Sequence, residues 1–155
     1  VGKILDSTTE MDWEFFDLGE NEPQAIQING YWNAHPDWVG KRKDRIVLWV
    51  EVKSHWGYFD GIPNVVVMVK KYLRQYKNIS KRASSDVRVV FLVRTRDKDL
   101  FFWESIDFLM GNISKTIKYK WKYKNDNGDV IEKVLDTVMF DTRCLRTDIK
   151  NLGNI

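Results

Sequence analysis

The sequence predicts an α/β fold in one domain, and three observations carry the prediction. Residues 45–53, 63–78 and 87–93 read in turn as an apolar strand, an amphipathic helix and a second apolar strand, a succession typical of α/β proteins. A second pair of strands surrounds Asn125-Asp126-Asn127-Gly128, a strong hairpin turn. The chain's 155 residues, 43% of them hydrophobic, suffice for one core, so a disordered polymer is excluded.

Taken in order, Asp6 or Ser7 with Glu10 resembles a helix entry, and Met11, Phe15 and Leu18 recur on one helical face, with Gly19 as the stop. Glu10 and Glu14 would share a face of this helix, which as a solvated acidic surface needs no task. Ile26 and Ile28 alternate with polar residues in a short strand over residues 25–32. Residues 40–44 read as a turn carrying Lys41, Arg42 and Lys43. The strand that follows, 45–53, is the clearest in the chain. Its alternation puts Ile46, Leu48, Val50 and Val52 on one face and Val47, Trp49, Glu51 and Lys53 on the other.

Pro63 suits the first turn of a helix running to about Asn78. Val65, Met68, Val69, Tyr72 and Tyr76 form its apolar stripe, and Lys70, Lys71, Arg74 and Lys77 its basic surface. The β-branched run at 87–93 fits a strand covered on both faces. Residues 100–110, apolar almost all round, read as a buried helix ended by Gly111. Lys118, Lys120, Lys122 and Lys124 alternate with Ile117, Tyr119, Trp121 and Tyr123, giving a strand with a cationic and an aromatic face, followed by a return strand over 130–140.

The net charge of +3 conceals an asymmetry: residues 1–40 carry −7 and the rest +10. Such a division accompanies binding to nucleic acid or another polyanion. The lone Cys144 has no partner for an internal disulfide or a structural zinc site, so a reducing compartment is expected. No apolar run approaches the roughly 18–20 residues that span a bilayer, and no signal-peptide core is visible, so the sequence reads as a cytoplasmic protein with no membrane partner.

Two carboxylates near one another, such as Asp37 and Glu51, suit a hard divalent cation that keeps several waters and accepts phosphate oxygens. An adjacent ammonium, Lys53, is placed to hold a water or to stabilise charge on a phosphodiester. The plainer alternatives are a same-face ion pair, worth about 0–1 kcal/mol if exposed, and an ordinary Pro36-Asp37 turn. An otherwise apolar strand favours burial, where charges are costly unless partnered or put to use. Asp148-Ile149-Lys150 has the same acid-x-Lys text but no apolar strand before it. His35 and His55 lie within two residues of the motif, either as site groups or as loop histidines.

Pro36-Asp37, thirteen further residues, then Glu51-Val52-Lys53 at the end of an apolar strand resembles the signature of the PD-(D/E)XK nuclease superfamily, which includes restriction enzymes, Holliday-junction resolvases and homing endonucleases. The resemblance implies a central mixed β-sheet flanked by helices, a restriction-endonuclease-like core at about residues 8–95; it does not reach the C-terminal helix and hairpin at about 99–142, which read as an addition to that core. It implies Mg²⁺, with Mn²⁺ as a substitute, held by Asp37, Glu51 and the carbonyl of Val52. Lys53 would serve the water, and Glu14 would add a carboxylate from a preceding helix. The activity implied is endonucleolytic cleavage of duplex or branched DNA by a homodimer, with RNA cleavage on the same core and non-catalytic DNA binding as alternatives. Lys41, Arg42, Lys43, Lys70, Lys71 and Arg74 would contact phosphates, an affinity that falls steeply with salt.

Overall fold

The computed structural model describes residues 13–17, 25–28, 31–34, 37–42 and 45–152. Five strands form the central sheet: β1 (Trp13–Asp17), β4 (Trp38–Arg42), β5 (Arg45–Phe59), β7 (Asp86–Thr95) and β8 (Asp99–Ser105), side by side in that order. β5 and β7 run parallel and the other neighbours antiparallel, so the sheet is mixed. β2 (Ala25–Ile28) and β3 (Tyr31–Ala34) form a separate hairpin. A third sheet takes β6 (Val65–Val69), β10 (Val130–Asp141) and β9 (Lys115–Lys124) in that order, and the two helices are α1 (Lys70–Ala83) and α2 (Ile106–Gly111).

The strand-helix-strand unit forms because β5 and β7 are rich in β-branched and aromatic residues and pair in parallel, which requires a long crossover. The crossover supplies β6 and α1. On one face of the sheet, Trp49, Val89, Phe91 and Val93 pack with Leu73 and Ile79 of α1 and with Val138 and Phe140 of β10. On the other, Leu48, Val50, Val90 and Trp103 are covered by Leu152 of the C-terminal segment. Leu48 and Val50 therefore face away from Trp49, as the alternation of residues 45–53 requires. The C-terminal hairpin forms around the expected turn, with Val130 opposite Lys124 and Gly128 at φ +81°, where a side chain would be strained.

Several expected elements differ. The helix expected to carry Glu14 is instead a strand: Trp13, Phe15 and Phe16 favour pleated backbone, and residues 13–17 pair with β4. Glu10 lies outside the described residues. The short strand at 25–28 pairs with 31–34, and the antiparallel partner of β5 is residues 38–42, part of which read as a turn. The helix placed at 63–78 begins only at Lys70. Val65–Val69 is an extended run whose buried residues alternate, and β10 pairs with it. Residues 99–105 form β8, and only Ile106–Gly111 is helical, started by the Ser105 hydroxyl, which accepts from the Phe108 N–H. Asp148-Ile149-Lys150 sits at a 3₁₀ turn, with no strand before it.

Candidate active site

β5 is the central strand, and its pairing changes at the motif. β4 begins at Trp38, opposite Val50, so among the described residues no strand bonds the β4-side edge of β5 beyond Val50. Asp37, immediately before β4, fills this position: its Oδ2 accepts the Val52 N–H at 2.7 Å. In an extended strand a residue's N–H and C=O point to the same edge. The Val52 carbonyl thus faces the side where Asp37 sits. Asp37, which read as part of a turn, meets β5 at the point where β5 runs past its neighbour.

Glu51 and Lys53 project from the face of β5 that Trp49 buries against α1. The Glu51 side chain is only 6% exposed and that of Lys53 25%, and Lys53 Nζ lies 2.5 Å from Glu51 Oε1. The ammonium also stands 4.8 Å from the centre of the Tyr72 ring and 5.7 Å from that of Tyr76, within cation–π range. Burial pushes the Glu51 carboxyl above its ordinary pKa. The Lys53 charge opposes that shift, the Asp37 charge adds to it, and hydrogen bonds from Lys53 and Tyr76 favour the ionised form. Burial, then the charge of Glu51, drives the Tyr76 phenol upward, so it stays protonated and donates to Glu51.

The two carboxylates therefore feel one another while only one lysine is in direct contact with Glu51. With the Val52 carbonyl they make a set of hard oxygen donors, which suits Mg²⁺ or Mn²⁺ better than a softer metal. Among the described residues no group of three or more acidic, histidine or cysteine side chains is placed to hold a metal. The remaining ligands would be water and phosphate oxygens, as is usual for Mg²⁺.

The structure brings Asp37, Glu51, Val52 and Lys53 together and leaves Glu14 apart. Glu14 pairs with Lys41, which pairs with Ile46, five residues before Glu51 on β5. That is roughly 16 Å along the strand and two strands across the sheet. Asp17, opposite Trp38, is the acidic residue of β1 at the level of the site. Lys41 and Arg42 share the far end of the β4–β5 hairpin with Ile46 and Arg45, and Lys43 and His35 lie outside the described residues. His55 packs by Phe91, its ring centre 6.3 Å away, and burial keeps its pKa low.

Lys70, Lys71 and Arg74 do approach the motif. They line a cleft of about 790 Å³ that Lys53 also lines, with Lys122 and Lys133 of the hairpin across it. Lys118, Lys120 and Lys122 are partly neutralised across the hairpin by Asp136 and Glu132. Sequence reasoning did not single out Tyr76 or Lys133. A tyrosine six residues beyond a helix's true start is visible only once that start is known.

A mixed five-stranded sheet flanked by helices, with a carboxylate and a lysine two residues apart on its central strand, defines a restriction-endonuclease-like fold. No protein-family model matches the sequence, and a search of curated proteins finds none that matches. Among solved structures, Hjc, a Holliday junction resolvase from the archaeal hyperthermophile Archaeoglobus fulgidus, is similar over 99% of this chain and 96% of that one. The TM-score is 0.51 at 9% identity, a likeness of fold. No helix among the described residues is long and apolar enough to cross a membrane.

Proposed function

We propose that the protein is a divalent-metal-dependent endonuclease that hydrolyses phosphodiester bonds of duplex or branched DNA. The observation that carries this reading is the hydrogen bond from the Val52 N–H to Asp37, which joins the separated halves of the motif at one strand edge. The resolvase-like fold supports the same class of reaction.

Asp37, Glu51 and the Val52 carbonyl would hold Mg²⁺, with Mn²⁺ able to replace it. Bound there, the ion would polarise the phosphodiester and acidify a water. Lys53 is the residue placed to orient the attacking water and to offset charge on the phosphate. With Glu51 serving as a ligand, Lys53 would exchange its contact with that carboxylate for one with substrate. Tyr76 fixes the Glu51 carboxylate by its hydrogen bond, and the Tyr72 ring keeps the lysine stem on the site side of α1. Lys70, Lys71 and Arg74 would draw the phosphate backbone toward that end of β5. Cutting both strands with one site per chain calls for a homodimer.

The 2.5 Å contact between Lys53 and Glu51 favours a second reading, a DNA-binding protein in which the pair is structural. Cleavage assays separate the two. Wild-type protein with Mg²⁺ is expected to cut a labelled duplex or four-way junction, whereas Asp37→Ala and Lys53→Ala lose cutting and retain low-salt binding. Unaltered cutting by either variant, or no cutting of any DNA by the wild type, overturns the assignment. Preferential cutting of RNA at matched metal concentration would replace DNA as the substrate.

A further inference from the structure

We propose that the cleft between α1 and the β9–β10 hairpin seats an unpaired DNA strand leading to the bond that is cut. The proposal rests on the nuclease reading and assigns that site its substrate form. The charge in the cleft is predominantly positive and distributed, with Lys122 shared with Glu132 at 3.4 Å. Lys70, Lys71 and Arg74 stand on the helix wall, Lys122 and Lys133 on the hairpin wall, and Lys53 belongs to both the cleft and the motif. Its one acidic lining residue, Asp136, is already engaged by Lys118 at 3.0 Å. Cations spread along two walls track a chain of phosphates, whereas a single small anion needs donors that converge on a point.

Each wall also carries an aromatic ring. Tyr72, 39% exposed, lies on the helix side, and Trp121, partly buried and held by its indole N–H bond to the Thr137 hydroxyl at 2.9 Å, lies on the hairpin side. Met68, Val69 and Leu135 supply apolar surface between them. A positive groove with aromatic faces is the combination that binds single strands irrespective of sequence.

Size favours the same form. At about 790 Å³ the cleft falls within the range of small-ligand pockets. A few unstacked nucleotides match a space of that size more closely than a duplex does. A strand lying in it would pass Lys53 and meet Glu51 and Asp37 at the strand edge. The DNA suited to the site is therefore one with an unpaired segment, a flap or an opened branch point, beside the scissile phosphate.

Fluorescence anisotropy in EDTA tests this without requiring catalysis. A labelled short oligothymidylate and a hairpin duplex of equal nucleotide number are titrated at the same salt concentration. The single strand is expected to bind about tenfold tighter, the scale of one stacked base. Tyr72→Leu, on the helix surface, and the double variant Lys71→Glu/Arg74→Glu should each remove most of that preference. Trp121→Phe, which keeps an aromatic plane, should retain it. Circular dichroism spectra matching the wild type establish that each variant is folded, and Lys122→Glu repeats the test from the other wall if the helix variants do not fold. Equal or tighter duplex binding, or charge reversal that weakens both ligands alike, overturns the proposal. Single-strand preference in a protein that cuts no DNA would refute the nuclease reading and leave the cleft assignment standing. Metal-dependent cutting without that preference would do the reverse.

Discussion

Replacing Lys53 by methionine in the metal-free protein removes one charge from the site while keeping most of the side chain's length. The Glu51 side chain that loses its partner is 6% exposed, and Lys53 itself 25%. Breaking a fully buried ion pair by removing one member costs about 3–5 kcal/mol. The partial exposure of Lys53, and the proton that Glu51 takes up in its place, reduce this to about 2–3 kcal/mol at pH 7.5. The loss depends on pH with a definite sign. Burial already raises the folded-state pKa of Glu51, so the folded state binds its proton more tightly than the unfolded state does. Stability falls as pH rises above the unfolded value of about 4.3, by about 1.4 kcal/mol per pH unit until the folded pKa is passed. Without the ammonium the folded pKa rises further, and the decline continues to higher pH. Lys53→Met should therefore match the wild type near pH 4.5 and lie about 2–3 kcal/mol below it at pH 7.5. That corresponds to a Tm lower by roughly 4–12 °C for a domain of this size. Thermal melts followed by circular dichroism in EDTA at the two pH values read the difference. An equal loss at both would assign the effect to packing, and no loss at either would mean that Glu51 is not a buried carboxylate dependent on Lys53. Either result refutes the reasoning.

Four other outcomes are expected. Glu51→Gln with Lys53→Met should recover to within about 1 kcal/mol of wild-type stability at pH 7.5, since a buried pair replaced as a unit is often neutral; urea denaturation measures it. Mg²⁺ at about 100 times its wild-type Kd should stabilise the wild type by about 2.7 kcal/mol, a Tm rise of roughly 5–11 °C, and Asp37→Ala by no more than about 1.4 kcal/mol at the same concentration. Tyr76→Phe should cost about 0.5–1.5 kcal/mol in denaturant unfolding through the lost hydrogen bond to Glu51. Neutralising Lys70, Lys71 and Arg74 together should lower the slope of log affinity for DNA against log salt by up to about 3, read from binding isotherms at several salt concentrations.

The parts of the fold legible in the sequence are those where local pattern and long-range pairing agree. β5 and β7 are apolar on both faces and remain strands in any context, and the turn at residues 125–128 specifies the C-terminal hairpin. Two patterns compete at residues 65–69. Val65, Met68, Val69, Tyr72 and Tyr76 fit a helical stripe, yet Val66 and Met68 are the buried pair because β10 lies alongside and takes the backbone's hydrogen bonds. At Trp38–Arg42, Gly40 and the basic residues conceal a strand that forms between β1 and β5. The convergence of Asp37 on residues 51–53 was legible, for a strand end and a nearby acid needed only to be brought to one edge. The position of Glu14 was not, because it depends on whether residues 13–17 coil or pair. The cleft was half legible: its lysines stand out in the sequence, but their facing each other across α1 and the hairpin is a matter of tertiary packing.

The most direct test of the central claim, that Asp37 and Glu51 together hold a divalent cation, is calorimetric titration of Mn²⁺ at pH 7.5, with and without DNA. The account predicts saturable binding to the wild type and to Lys53→Met, weakened at least about tenfold in Asp37→Asn and in Glu51→Gln, the scale of one lost charged ligand. Unchanged binding in both carboxylate variants, or none by the wild type even with DNA present, would contradict it.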